Sequence, residues 1–103
     1  MGILINKTEE KAITIQGTEI EIDSVYGRID FVGRGDGTTL ECVVTTYASK
    51  DAYKQGSNPL STDVPVGSFK VEELAPDEEQ SSSTAIKYAL QVYNDNGYNT
   101  TEL

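Results

Sequence analysis

The chain has no histidine and no tryptophan, and only one cysteine, one methionine and three prolines in 103 residues. Without imidazole there is no Ser–His or Cys–His pair and no histidine metal site, so the commonest routes to nucleophilic and general-base catalysis are closed. A single cysteine, Cys42, excludes an internal disulfide and, with no histidine to join it, ordinary structural zinc. Positive charge is scarce as well: 8 Lys+Arg stand against 17 Asp+Glu, a net charge of −9 at pH 7. The cations (Lys7, Lys11, Arg28, Arg34, Lys50, Lys54, Lys70, Lys87) are scattered along the chain. Replacing counterions on phosphates needs them clustered, so neither direct nucleic-acid binding nor docking on an anionic membrane is expected. No run approaches the roughly 18 apolar residues of a membrane helix. The opening MGILINKTEEK lacks the apolar stretch and cleavage site of a signal peptide, so no leader is expected. The sequons at Asn6 and Asn99 are then read as chance, and no cofactor is implied.

What is present fits one thin-cored domain. A length of 103 residues suits a single unit. The apolar fraction, 37%, lies below the roughly 45–50% of average proteins, which favours a partner or an oligomer that shares the burial. An acidic surface repels copies of itself, so tight homo-oligomers would need buried apolar contacts or a basic partner.

Residues 1–10 read as an N-terminal arm, apolar at Ile3, Leu4 and Ile5 and then charged, able to pair as an edge strand or embrace a neighbour. One domain follows over residues 11–98, and residues 99–103 form a polar tail. Within the domain, Ile13, Ile15, Ile20 and Ile22 alternate with polar residues as in a strand, with Gly17-Thr18 as a bulge or tight turn. Residues 25–33 and 38–48 are two more strands around the glycine-rich run GRGDG, a hairpin signal. In the first, Val25, Gly27, Ile29 and Phe31 share one face and Tyr26, Arg28 and Asp30 the other; in the second, Leu40, Cys42 and Val44 oppose Val43, Thr45 and Tyr47. The partly apolar second face suggests cover on both sides. Cys42 reads as a buried structural thiol. Ser49 caps a short turn of helix over Lys50–Gln55, stopped by Gly56. Residues 67–74 give a last strand.

An acidic, serine-rich connector then leads into an amphipathic helix, with Ile86, Ala89, Leu90 and Tyr93 at helical spacing. Ser82 or Ser83 is the expected N-cap, Glu78 and Glu79 suit the positive end of the helix dipole, and Gly97 is a natural C′ residue. The fold class expected is α+β: a small antiparallel, sandwich-like sheet with a C-terminal amphipathic helix packed on it.

No run of residues spells a catalytic site. Glu19 and Glu21 form a carboxylate pair, but on what is expected to be an exposed strand face. Arg34-Gly35-Asp36 matches the integrin-binding tripeptide, but Gly-x-Gly-Asp-Gly is also what a tight hairpin demands. Asp95, Asn96 and Asp36 offer calcium-like oxygens without the spacing of a helix–loop–helix calcium loop. The six tyrosines are more telling, because tyrosine brings large contact area at low entropic cost. Tyr26 and Tyr47 fall on the hairpin face away from the main core. They form either a patch that contacts a neighbouring protein or a second layer of core beneath the C-terminal helix. The candidate interface comprises Ile3, Leu4, Ile5, Tyr26, Arg28, Val43, Tyr47 and Tyr53.

The run GTEIEIDSVYGRIDFVGRGDGTTLECVVTTYASKDAYKQGSNPL carries a Tyr-x-Arg-Ile strand, a charged glycine turn, and a segment Tyr-x-Ser-Lys-x-Ala-x-x-x-Gly-x-x-Pro-Leu. That segment is formed by Tyr47, Ser49, Lys50, Ala52, Gly56, Pro59 and Leu60, and Tyr88-Ala89 follows in the helix. In this order, over residues 17–98, the chain resembles a group of small structural proteins of tailed bacteriophages and prophages. The resemblance implies a non-enzymatic virion protein, a small tail, neck or fibre-attachment component assembled in the host bacterial cytoplasm. Its expected partners are other virion proteins and copies of itself. The alternatives are a capsid auxiliary (decoration) protein, a soluble protein-binding or inhibitor module, and a small carboxylate hydrolase. The resemblance transfers no catalytic residues.

Overall fold

The computed structural model describes residues 2–33, 38–64, 67–72, 74 and 80–103. The expected α+β class is observed: a curled antiparallel sheet, close to a half-barrel, carries a long helix on its concave side. The strands are β1 (Gly2–Asn6), β2 (Ile13–Thr14), β3 (Glu21–Ile22), β4 (Ser24–Gly33), β5 (Leu40–Tyr47), β6 (Ser68–Val71) and β7 (Asn99–Glu102); the helices are α1 (Lys50–Lys54) and α2 (Ser82–Asp95). Five strands join in the order β6-β5-β4-β1-β7, and β2-β3 form a separate pair.

The hairpin β4-β5 is the axis of the sheet. Its register sets Tyr26 against Tyr47, Ile29 against Val44 and Phe31 against Cys42. Because side chains alternate across a strand, Val25, Ile29, Leu40, Cys42 and Val44 all point to the helix side, where each is at most 5% exposed. Ala85, Ile86, Ala89 and Tyr93 of α2 close over them, as the helical spacing predicts.

The ends of α2 are locally encoded. Ser81, one residue before the expected cap, accepts a hydrogen bond from the Thr84 N–H. At the other end Gly97 adopts φ +95°. Its N–H donates to the Asn94 carbonyl and that of Tyr98 to the Tyr93 carbonyl, which is the Schellman arrangement. The chain then turns back into β7. The short helix α1 forms as expected: the Ser49 side chain accepts from the Ala52 N–H at 3.0 Å, and Gly56 leaves the turn at φ +80°.

Two sequence expectations are corrected and one open alternative is decided. Gly2–Asn6 is not a projecting arm or an edge strand but an interior strand, paired with β4 on one side and β7 on the other. Asn99–Glu102 is not a loose tail, since it supplies that second partner. Of the two readings of Gly17-Thr18 the tight turn is the one observed: Gly17 at φ +81° folds the alternating isoleucines into a hairpin, with the Ile15 N–H donating to the Ile20 carbonyl, so they do not share one face. That fold leaves Ile13 fully buried and Ile20 58% exposed. The glycine-rich tip at 34–37, with its Arg-Gly-Asp tripeptide, and Glu78 and Glu79 lie outside the described residues.

Candidate protein-binding face

One face of the sheet is packed by α2; the other carries Tyr26, Tyr47 and Tyr53. Two glycines define the sides. A methyl group at Gly27 would strike Val44, Ile3 and Ile5, all in the core, whereas one at Gly2 would strike the ring of Tyr26. Gly2 and Tyr26 therefore lie on the outer face, and the bare backbone at Gly2 is what lets the ring lie flat on β1.

The outer cluster follows from register plus one capped turn. Tyr26 and Tyr47 are direct cross-strand partners, with ring centroids 6.5 Å apart. Helix α1, which begins three residues after Tyr47, folds Tyr53 over both, at 5.6 Å from Tyr26 and 5.0 Å from Tyr47. All three ring pairs are tilted, in the range where aromatic pairs contribute about 0.5–1.5 kcal/mol beyond buried area. Arg28, two residues along β4 on the same face, sets its guanidinium 5.2 Å from the centre of the Tyr53 ring. Its Nη2 also lies 3.4 Å from Asp30 Oδ1.

Burial within the cluster is graded. Tyr26 is 2% exposed and forms its floor. Its hydroxyl is held above the usual tyrosine range, first by burial and then by the neighbouring Tyr53. Tyr47, Tyr53 and Arg28 are half-buried, and so is Leu4, opposite Tyr26 on β1. Farther along the sheet the same face shows Val43, 50% exposed, and Val32, 59% exposed.

Six of the eight expected interface residues thus share this face: Leu4, Tyr26, Arg28, Val43, Tyr47 and Tyr53. Ile3 and Ile5 do not. They alternate to the helix side, are 0% exposed and belong to the core. Cover on the outer face of β5 is only partial among the described residues: α1 lies over Tyr47, whereas Val43 stands open. Nor does the tyrosine layer lie beneath the C-terminal helix, which packs on the opposite side of the sheet. Reading the sequence missed Gly2 and Val32; strand alternation from Tyr26 places Val32, but Gly2 needs the β1–β4 pairing.

Among the described residues no three His, Cys, Asp or Glu side chains gather as a metal site. The Asn96 amide donates to the Val92 carbonyl at 2.7 Å and so caps α2. Burial pushes the Cys42 thiol up to about 11. It is 1% exposed and protonated at neutral pH. Comparison of the chain with family models, curated proteins and solved structures finds no match.

Proposed function

We propose that this chain is a non-catalytic structural protein of a tailed-bacteriophage particle, a small tail, neck or fibre-attachment component held in place through the outer face of its sheet. The carrying observation is the Tyr26–Tyr47–Tyr53–Arg28 cluster on the face of the sheet opposite α2. Tyrosine and arginine are the side chains that most often concentrate binding energy at protein interfaces. Here Tyr26 holds the rings in place, so little rotamer freedom remains to be lost on contact. Placement in a particle rests on the ordered motif from Tyr26-Gly27-Arg28-Ile29 to Pro59-Leu60. The net charge of −9 favours neighbours that present basic surface to this one.

The test is sedimentation of particles from a host producing a tagged chain. Co-sedimentation is expected, with a copy number of about a dozen or a small multiple, as ring symmetry gives. Hundreds of copies would assign the chain to the capsid shell instead. A chain that stays in the supernatant overturns the particle reading. Tyr47→Ser combined with Tyr53→Ser should abolish incorporation and leave the fold intact, because both rings are half-buried and lie outside the core. Unimpaired incorporation of a folded double variant would reject this face as the contact.

A further inference from the structure

A second surface lies at the β6 edge of the sheet, beside α2. Strand β6 ends the sheet, and among the described residues nothing pairs with its outer edge. The Val44 N–H donates to the Gly67 carbonyl at 2.8 Å. The ladder continues through Cys42 opposite Phe69 and Leu40 opposite Val71. Bonded residues alternate along an antiparallel strand. Gly67, Phe69 and Val71 therefore direct their backbone groups to β5, while Ser68 and Lys70 turn theirs outward.

Beside this edge, between β6 and α2, runs a groove of about 540 Å³. Its walls are Phe69 and Val71 from the strand and Tyr88 and Val92 from the helix, all half-buried. Tyr88 and Val92 are four apart and so stand one above the other on a single helical face. Glu72 and Asp95 also line the groove. Asp95 is the last residue of α2, whose final turn carries no basic residue. The partial negative charge of the helix C-terminus therefore adds to that of the carboxylates. Among the described residues Lys70 is the one cation lining the groove, and strand alternation sends its side chain to the outer face of the sheet; Lys87 lies beside the groove, its Nζ 5.3 Å from the centre of the Tyr88 ring.

We propose that this groove takes an extended segment of a partner protein by strand addition to β6. The ligand has apolar side chains at two alternate positions, set against Phe69/Val71 and Tyr88/Val92. A lysine or arginine follows, beside Glu72 and Asp95. An added strand presents one face every second residue, about 7 Å apart, which matches a groove walled by strand on one side and helix on the other. The backbone of Ser68 and Lys70 supplies affinity, and the carboxylates select a basic ligand. A second copy of the chain is disfavoured as occupant, because each copy carries a net charge of −9. The proposal does not depend on the tyrosine face.

The experiment is fluorescence anisotropy of the full chain with labelled peptides. Peptide TVTITKK should bind saturably below about 1 mM. TVTITEE, and TTVITKK with its apolar residues adjacent, should each bind at least about tenfold more weakly. Lys70→Pro removes an outward N–H without breaking the β5–β6 ladder and should cost about tenfold, whereas Lys70→Ala should stay within about threefold. Asp95→Lys should weaken the basic peptide by about threefold or more. N-methylation of TVTITKK on one backbone edge should abolish binding and on the other spare it, a result that holds even if Lys70→Pro fails to fold. Any of four results would overturn the proposal: no saturable binding, equal binding of TVTITKK and TVTITEE, indifference to methylation on both edges, or self-association of the chain that Lys70→Pro abolishes.

Discussion

Gly27→Ala is expected to destabilise the protein although it adds one methyl group to a buried strand. Gly27 lies in β4 between Ile3 of β1 and Thr46 of β5, with its α-carbon facing the core. A Cβ built there sits 2.9 Å from Val44 Cγ1 and 3.4 Å from both Ile3 Cγ1 and Ile5 Cδ1. Carbon atoms prefer about 3.5–4.0 Å, so the contact with Val44 is too close by roughly 0.6–1 Å. Val44 is 5% exposed and branched at Cβ, so it has little freedom to turn aside. Overpacking of this kind costs about 1–3 kcal/mol, partly offset by about 0.4–1 kcal/mol from the stiffer unfolded chain. The net expectation is a loss of about 1–2 kcal/mol, or roughly 4–15 °C in Tm for a domain of this length. Thermal and urea melts followed by circular dichroism measure it. The decisive comparison is a double-mutant cycle with Val44→Ala, which opens space for the new methyl. That second change should cost at least about 0.5 kcal/mol less in the Gly27→Ala background than in the parent. Equal costs in both backgrounds, or a Gly27→Ala protein as stable as the parent, would refute the packing argument.

Other expectations follow from the helix ends and the buried ionisable groups. Ser81→Ala removes the N-cap of α2, whose bond to the Thr84 N–H is long at 3.4 Å, and should cost about 0.5–1 kcal/mol in urea melts. Gly97→Ala forces a side chain into φ +95° and to 2.8 Å from Lys11 Cγ, and should cost about 1–2 kcal/mol or more. Stability should fall as pH rises above about 9. Burial raises the Cys42 thiol from 9.0 to about 11 and the Tyr93 hydroxyl from 10.0 to about 12. Across pH 9–12 the unfolded chain therefore releases these protons before the native one, and the unfolded state gains. Cys42→Ala should shift the onset of the alkaline loss upward by about one pH unit in urea titrations read at successive pH values.

The hairpin was legible because its information is local. Alternation in 25–33 and 38–48, with glycines between, predicts both strands and puts Tyr26 and Tyr47 on one face, and the observed register makes them direct partners. Ser49 and Gly56 bracket α1, which brings Tyr53 to the same place. The spacing of Ile86, Ala89 and Tyr93 likewise specifies the buried stripe of α2. The termini were misread because their structure is not local. Ile3-Leu4-Ile5 is compatible with an edge strand but does not announce an interior one, and Asn99–Glu102 has no apolar side chain, so neither segment reveals its role until the other is beside it. That pairing decides which face Ile3 and Ile5 take, and hence why two of the eight expected interface residues are core. Gly17 illustrates a subtler ambiguity: the same isoleucine spacing serves one strand or a hairpin, and only the positive φ at the turn distinguishes them.

The pairing of Gly2–Asn6 with Asn99–Glu102 also has a bearing on aggregation. β7 is a polar ribbon laid along one of the most apolar strands in the molecule. If proteolysis or early termination removed those four residues, β1 would become a naked edge, Gly-Ile-Leu-Ile-Asn, with unpaired amides and no proline or charge to discourage another chain from adding to it. The last strand thus acts as a sheath for the first, and a chain cut short before Asn99 should precipitate rather than merely melt sooner.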